Sequence, residues 1–93
     1  MSFVLIAHIP AKPGKESELE SLLRSLVQPT LDEPGCISYV LHKNQEASEF
    51  TFIEEWESTA DLDAHFETPH LKAALPQFEA LTDGLDLRRY DKL

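Results

Sequence analysis

The spacing of apolar positions changes period several times along the chain, and each change marks an element. From Phe3 to Ile9 the apolar residues occupy both parities, Phe3, Leu5, Ala7 and Ile9 on one side and Val4 and Ile6 on the other. A strand apolar on both faces is normally covered on both. Pro10 and the Lys12-Pro13-Gly14 turn stop it. A helical period follows over about Lys15 to Gln28, with Leu19, Leu22, Leu23, Leu26 and Val27 on one stripe and Glu16, Glu18, Glu20 and Arg24 mostly outside it. Pro29 is expected to bend or end this helix, because its ring removes a backbone donor. Glu33-Pro34-Gly35 then makes a turn.

Alternation returns over Cys36 to Lys43, with Ile37, Tyr39 and Leu41 on one face and Cys36, Ser38, Val40 and His42 on the other. The polar Asn44 to Ser48 is of hairpin length, so the strand beginning near Glu49 pairs antiparallel with its predecessor. There Phe50, Phe52, Glu54 and Trp56 alternate with Thr51, Ile53, Glu55 and Glu57, so one aromatic face carries a single carboxylate. Ser58, three residues before Asp61, has the spacing that satisfies the free N–H groups of a first helical turn. Leu62, His65 and Phe66 follow at helical spacing, which puts an imidazole on or beside the apolar stripe. Thr68-Pro69 restarts a helix with Pro at its first position. Leu71, Ala74, Leu75, Phe78 and Leu81 form its apolar face, and Pro76 is expected to kink or interrupt it. After the Asp83-Gly84 turn, Leu85 to about Tyr90 reads as a last strand.

This order predicts an α+β fold, a ferredoxin-like βαββαβ sandwich whose four-stranded antiparallel sheet carries its helices on one face. Residues 1–93 read as a single domain. The helices cover one side of the sheet, yet the first two strands are apolar on both. An exposed patch of that kind marks an interface, so a homodimer through the open sheet face is expected.

Charge narrows the partners. Seventeen acidic residues against eight basic ones give a net charge of −9, with no basic cluster. Such a surface repels phosphate backbones and anionic lipid, which argues against nucleic acid and membrane partners. No stretch approaches the roughly 20 apolar residues of a membrane span. The amino terminus lacks the basic region of a signal peptide, so a cytoplasmic location is expected. Cys36 is the only cysteine, which excludes an internal disulfide and a cysteine zinc cluster. On a strand, with no basic neighbour in sequence, it reads as packing.

Trp56 at the end of its strand and His65 on the next helix are placed to border one cavity. The residues around them resemble a known family. Glu33-Pro34-Gly35-Cys36 followed by Tyr39 and Leu41-His42, then Phe50 to Trp56 with Glu54-Glu55-Trp56-Glu57-Ser58, then Asp63-Ala64-His65 and Thr68-Pro69-His70, look like the antibiotic biosynthesis monooxygenase domain. The resemblance runs through nearly the whole chain in order and spacing. It implies a dimeric α+β barrel and, in the family's best-known reaction, oxidation of a small quinol or polycyclic phenol by dioxygen with no metal or organic cofactor.

That reaction needs a dry apolar pocket and a base or hydrogen-bond partner for the phenol. With that reaction in view, His65 and Trp56 are the catalytic candidates, His65 as base or hydrogen-bond partner because imidazole titrates near neutral pH. Phe52, Glu54, Phe66, Phe78 and His42 are the substrate-binding candidates, the phenylalanines as walls and Glu54 to orient an imidazole or bind a hydroxyl. Each has a structural reading beside it: Trp56 as a core aromatic, His65 as a partner to a nearby carbonyl or Glu, His42 and His8 as strand histidines, and His70 as a helix-start residue. No metal site is expected, since His65 and His70 are five apart with a Pro between and do not share a face of a regular helix. Haem degradation is disfavoured, because the haem-degrading relatives place an Asn on the first strand, where this chain has Leu5-Ile6-Ala7-His8. Two other functions stay open: an isomerase or similar acid–base enzyme on a small metabolite, and a non-catalytic ligand-binding or dimerisation module.

Overall fold

The protein was analysed as a computed structural model that describes residues 2–93. Its elements are β1 (Phe3–Pro10), α1 (Glu16–Leu31), β2 (Cys36–Lys43), β3 (Glu49–Trp56), α2 (Thr59–Phe66), α3 (Pro69–Leu81) and β4 (Asp86–Tyr90). The strands form one antiparallel sheet in the order β2-β3-β1-β4. This is the expected ferredoxin-like α+β architecture. No helix among the described residues is long and apolar enough to cross a membrane.

The core lies between the sheet and the helices. Phe3, Leu5, Ala7 and Ile9 of β1 and Phe50, Phe52, Glu54 and Trp56 of β3 alternate inward, as their period of two requires. They meet Leu19, Leu23 and Leu26 of α1, Leu62 of α2, and Leu71, Ala74, Phe78 and Leu81 of α3. On the far side of the sheet, Val40, Ile53 and Ile6 are cross-strand neighbours in one row, with Ile53 41% and Val40 50% exposed.

One sequence expectation needs correction and two are narrowed. Cys36 pairs with Trp56 and Ser38 with Glu55, so Ile37 is the extra residue of a β-bulge. The bulge resets the parity of the strand: Tyr39 keeps the core face, while Ile37 is exposed rather than packed beside it. Pro29 does not end α1, which runs two residues further to Leu31 and buries Thr30. Pro76 likewise lies inside a continuous α3. Each proline ring leaves one helix carbonyl without its backbone donor, and packing of the apolar stripe outweighs that loss.

The turn before β2 is the tightest junction. Gly35 has φ +82°, and a Cβ there would overlap the Asp61 side chain in the first turn of α2. The Gly35 carbonyl accepts from the Glu57 N–H at 2.9 Å, while Ser58 caps α2 by accepting from the Asp61 N–H at 3.2 Å. Only glycine meets both the left-handed backbone and the close approach. Gly35→Ala is therefore expected to lower the unfolding free energy by at least about 1–2 kcal/mol. Urea titration of both proteins measures it; an unchanged midpoint would show that the turn tolerates a side chain.

Candidate functional site

The helical segment after β3 is two helices, and the break between them builds the site. Thr68 leaves the helical conformation, its hydroxyl donates to the His65 carbonyl at 2.7 Å, and it accepts from the Leu71 N–H at 3.4 Å. Pro69 opens α3. The reorientation brings His70 back towards His65. His65 and His70 lie on two helices, not on one face of a regular helix, yet both imidazoles reach the same carboxylate. Glu33 Oε2 accepts from His65 Nδ1 at 2.8 Å and from His70 Nε2 at 2.6 Å. Since a carboxylate oxygen only accepts, each of those nitrogens carries the proton.

His65 is 3% exposed and stands among aromatic rings, its centroid 4.9 Å from that of Trp56, 5.5 Å from Phe66 and 5.7 Å from Tyr39. Burial pulls its pKa below the ordinary value, against the raising influence of Glu33, so the ring is neutral at neutral pH. With Nδ1 donating to Glu33, Nε2 is left as the nitrogen with a free lone pair.

The imidazole borders a cavity of about 50 Å³ between helices and sheet, together with Tyr39, Phe52, Glu54, Phe66 and Phe78. Its mouth is formed by Leu75 of α3, Leu85, and Leu87 of β4, all partly exposed. Glu54 is 4% exposed and is the one carboxylate on this wall. Burial pushes its pKa up to about 7; the Trp56 hydrogen bond opposes that rise and the Glu33 charge adds to it. The Tyr39 phenol is pushed above its usual range, first by burial and then by the Glu54 charge, so it stays a neutral hydroxyl. Cys36 is likewise raised to about 11 by burial and the nearby Glu33 and Glu54 charges, which keeps it a thiol.

Of the residues singled out from sequence, His65, Glu54, Phe52, Phe66 and Phe78 meet at this cavity. Trp56 does not line it. Fully buried, it stands behind Glu54 and donates from Nε1 to Glu54 Oε1 at 2.9 Å. His42 lies elsewhere, exposed on edge strand β2 beside an open groove of about 390 Å³ that Glu20, Arg24 and Lys43 also line. Glu33, His70 and the leucine mouth were not among the catalytic or substrate-binding candidates. The available signal for Glu33 was its place in the Glu33-Pro34-Gly35 turn, next to the one glycine that docks on α2.

The profile of the antibiotic biosynthesis monooxygenase family matches residues 2–77. An uncharacterized Synechocystis protein, sll1783, is 40% identical over 68 residues, which are 72% of this chain and 46% of that protein. The chain thus spans about half the length of that relative. YgiN of Escherichia coli, a probable quinol monooxygenase, is 34% identical over 80 residues, covering 74% of this chain and 77% of YgiN. Among solved structures, PA3566 from Pseudomonas aeruginosa superposes with a TM-score of 0.95 at 36% identity, over 99% of this chain and 94% of that one.

The raised pKa of Glu54 makes stability depend on pH. The folded value of about 7 lies above the ordinary 4.5, so the protonated carboxyl is favoured in the folded state. That contribution is complete below about pH 4.5 and is lost as pH rises through 7, up to about 3 kcal/mol in all. Glu54→Gln, which keeps an acceptor for Trp56, escapes the loss. Its stability relative to the parent is expected to increase between pH 5 and pH 8 in urea unfolding, and a pH-independent difference would place the Glu54 pKa in its ordinary range.

Proposed function

The chain belongs to the antibiotic biosynthesis monooxygenase family, and from that premise we propose that it is a monooxygenase using dioxygen on a small quinol or polycyclic phenol, without an organic cofactor. The observation that carries this reading is the polar pair facing an otherwise apolar cavity: His65, fixed through Nδ1 by Glu33, and the protonatable Glu54. His65 Nε2 takes the proton of a phenolic hydroxyl, and Glu54 binds the second oxygen of the substrate. The resulting electron-rich anion reduces dioxygen directly. For an anthrone, the ring methylene becomes a carbonyl; one oxygen atom stays on carbon, the other leaves as water, and all four electrons come from the substrate. Phe52, Phe66 and Phe78 supply apolar walls that keep water from the anion. Trp56 serves indirectly, by holding Glu54. The likeness to YgiN supports the quinol substrate class.

Size sets a condition on this chemistry. A cavity of about 50 Å³ holds one or two waters, whereas a cavity that binds benzene measures about 150 Å³. Substrate entry therefore requires the partly exposed Leu75, Leu85 and Leu87 to move outward, together with Phe66. The wall carries no Lys or Arg, which counts against an isomerase acting on a phosphorylated metabolite.

The same proposal includes a homodimer through the outer sheet face, supported by the exposed Val40 and Ile53 in one row with the half-buried Ile6, and by the exposed Tyr90 beside Val4. Ile53→Lys places an unpaired charge in that row and is expected to give a monomer by light scattering where the parent gives a dimer. A parent that is already monomeric removes the dimer from the proposal.

For the chemistry, oxygen uptake is measured with a panel of reduced naphthoquinols and anthrones. The expected outcome is turnover above autoxidation, reduced about 10²–10⁴-fold in His65→Ala. Rates equal to autoxidation across the panel would remove the monooxygenase reading, and unaltered turnover in His65→Ala would move the base elsewhere.

A further inference from the structure

Glu33, His65 and His70 come from three different elements, the α1–β2 turn, α2 and the first turn of α3, and their ligand atoms lie within 4.8 Å of one another. Glu33 makes no ion pair with Lys or Arg among the described residues; its pairs there are with the two imidazoles. Both of those bonds fall on Oε2, so Oε1 takes no hydrogen bond from any described residue. The side chain of Glu33 is 9% exposed and that of His70 23%, so one side of the cluster opens to solvent while the rest is enclosed.

We propose that Glu33, His65 and His70 form a two-histidine, one-carboxylate site for a divalent first-row transition ion of the Zn²⁺, Co²⁺ or Ni²⁺ kind. The donor set, two imidazole nitrogens and one carboxylate oxygen, suits these borderline ions, whereas Ca²⁺ and Mg²⁺ take oxygen donors. The geometry needs small adjustment. Bonds of 2.0–2.2 Å at tetrahedral angles put ligand atoms about 3.3 Å apart, so the two short edges lengthen by about 0.5–0.7 Å and the third shortens by at most about 1.5 Å. Water completes the coordination on the open side at His70, which is also the path of entry.

The ion lies on the Nδ1 edge of His65 and so outside the cavity that the ring borders. It acts on the cavity through the tautomer. A neutral imidazole that ligates through Nδ1 carries its proton on Nε2 and turns from acceptor to donor there. The metal-bound protein thus loses the free lone pair that the metal-free protein offers, and the ion pins the α1–β2 turn to both helices. The metal site itself does not depend on the monooxygenase reading.

The test uses the whole chain, stripped with chelator and titrated with Co²⁺ and Zn²⁺ by calorimetry and visible absorption. One ion per chain is expected, with Co²⁺ ligand-field bands of a low-coordinate site and a higher melting temperature. His70→Ala and Glu33→Gln should each weaken binding at least about a hundredfold. His8→Ala, which removes the separate surface contact of His8 with Glu49, should bind as the parent does. Circular dichroism reports whether each variant folds, and His70→Gln substitutes for His70→Ala where the latter does not. Absence of binding overturns the proposal, as does equal affinity in the folded His70 variant or loss of the ion in His8→Ala.

Discussion

One carboxylate holds this site together. Glu33 leaves the end of α1 on a turn whose glycine lies against α2, and its Oε2 receives N–H groups from the last turn of α2 and the first turn of α3. Two short helices with a break between them have little rigidity of their own. The shared acceptor sets the angle of the break, the depth of His65 and the tautomer it presents. Thr68 makes the matching backbone connection on the same break, bonding to both helices through one hydroxyl.

Glu33 and Glu54, the two carboxylates of this site, have different surroundings. Glu33 accepts two imidazole N–H bonds, whereas Glu54 accepts one indole N–H and otherwise faces apolar side chains. Low dielectric disfavours charge where few donors are present, so Glu54 titrates near neutrality. Trp56 is the brake on that shift, since its hydrogen bond favours the charged form. An indole that does not line the cavity thereby tunes a carboxyl that does.

Much of the fold was legible in the sequence because it follows from periods. The alternation in β1 and β3 sorted their residues into two faces, with Glu54 and Trp56 on one, although parity alone did not say which face lines the cavity. The leucine stripe of α1 gave its buried side. What escaped were features without a period. Nothing in CISYVLHK announces that Ile37 is a bulge, because an apolar residue fits either side of a strand until its neighbours are fixed. The meeting of His65 and His70 was hidden for a related reason. Helical spacing assumes a continuous axis, and Thr68-Pro69 bends the path by an amount that only tertiary contacts decide. Parity could place Trp56 and Glu54 on one face, but not say that Glu54 would stand between the indole and the cavity.

Strand β4 joins the two unfinished parts of the molecule. All five of its residues are exposed. Leu87 points inward to the cavity mouth, while Arg88 and Tyr90 extend the outer face beside Ile6 and Val4. An edge strand paired on one side only is the part of a sheet most easily displaced, and here it carries a wall of a cavity too small for an aromatic ring. A second copy covering the outer face, as proposed, would bury Tyr90 and stiffen β4, so that assembly and cavity opening would act on one element in opposite senses. The free energy needed to move Leu87 outward would then be set partly on the far side of the sheet, by residues that do not line the cavity.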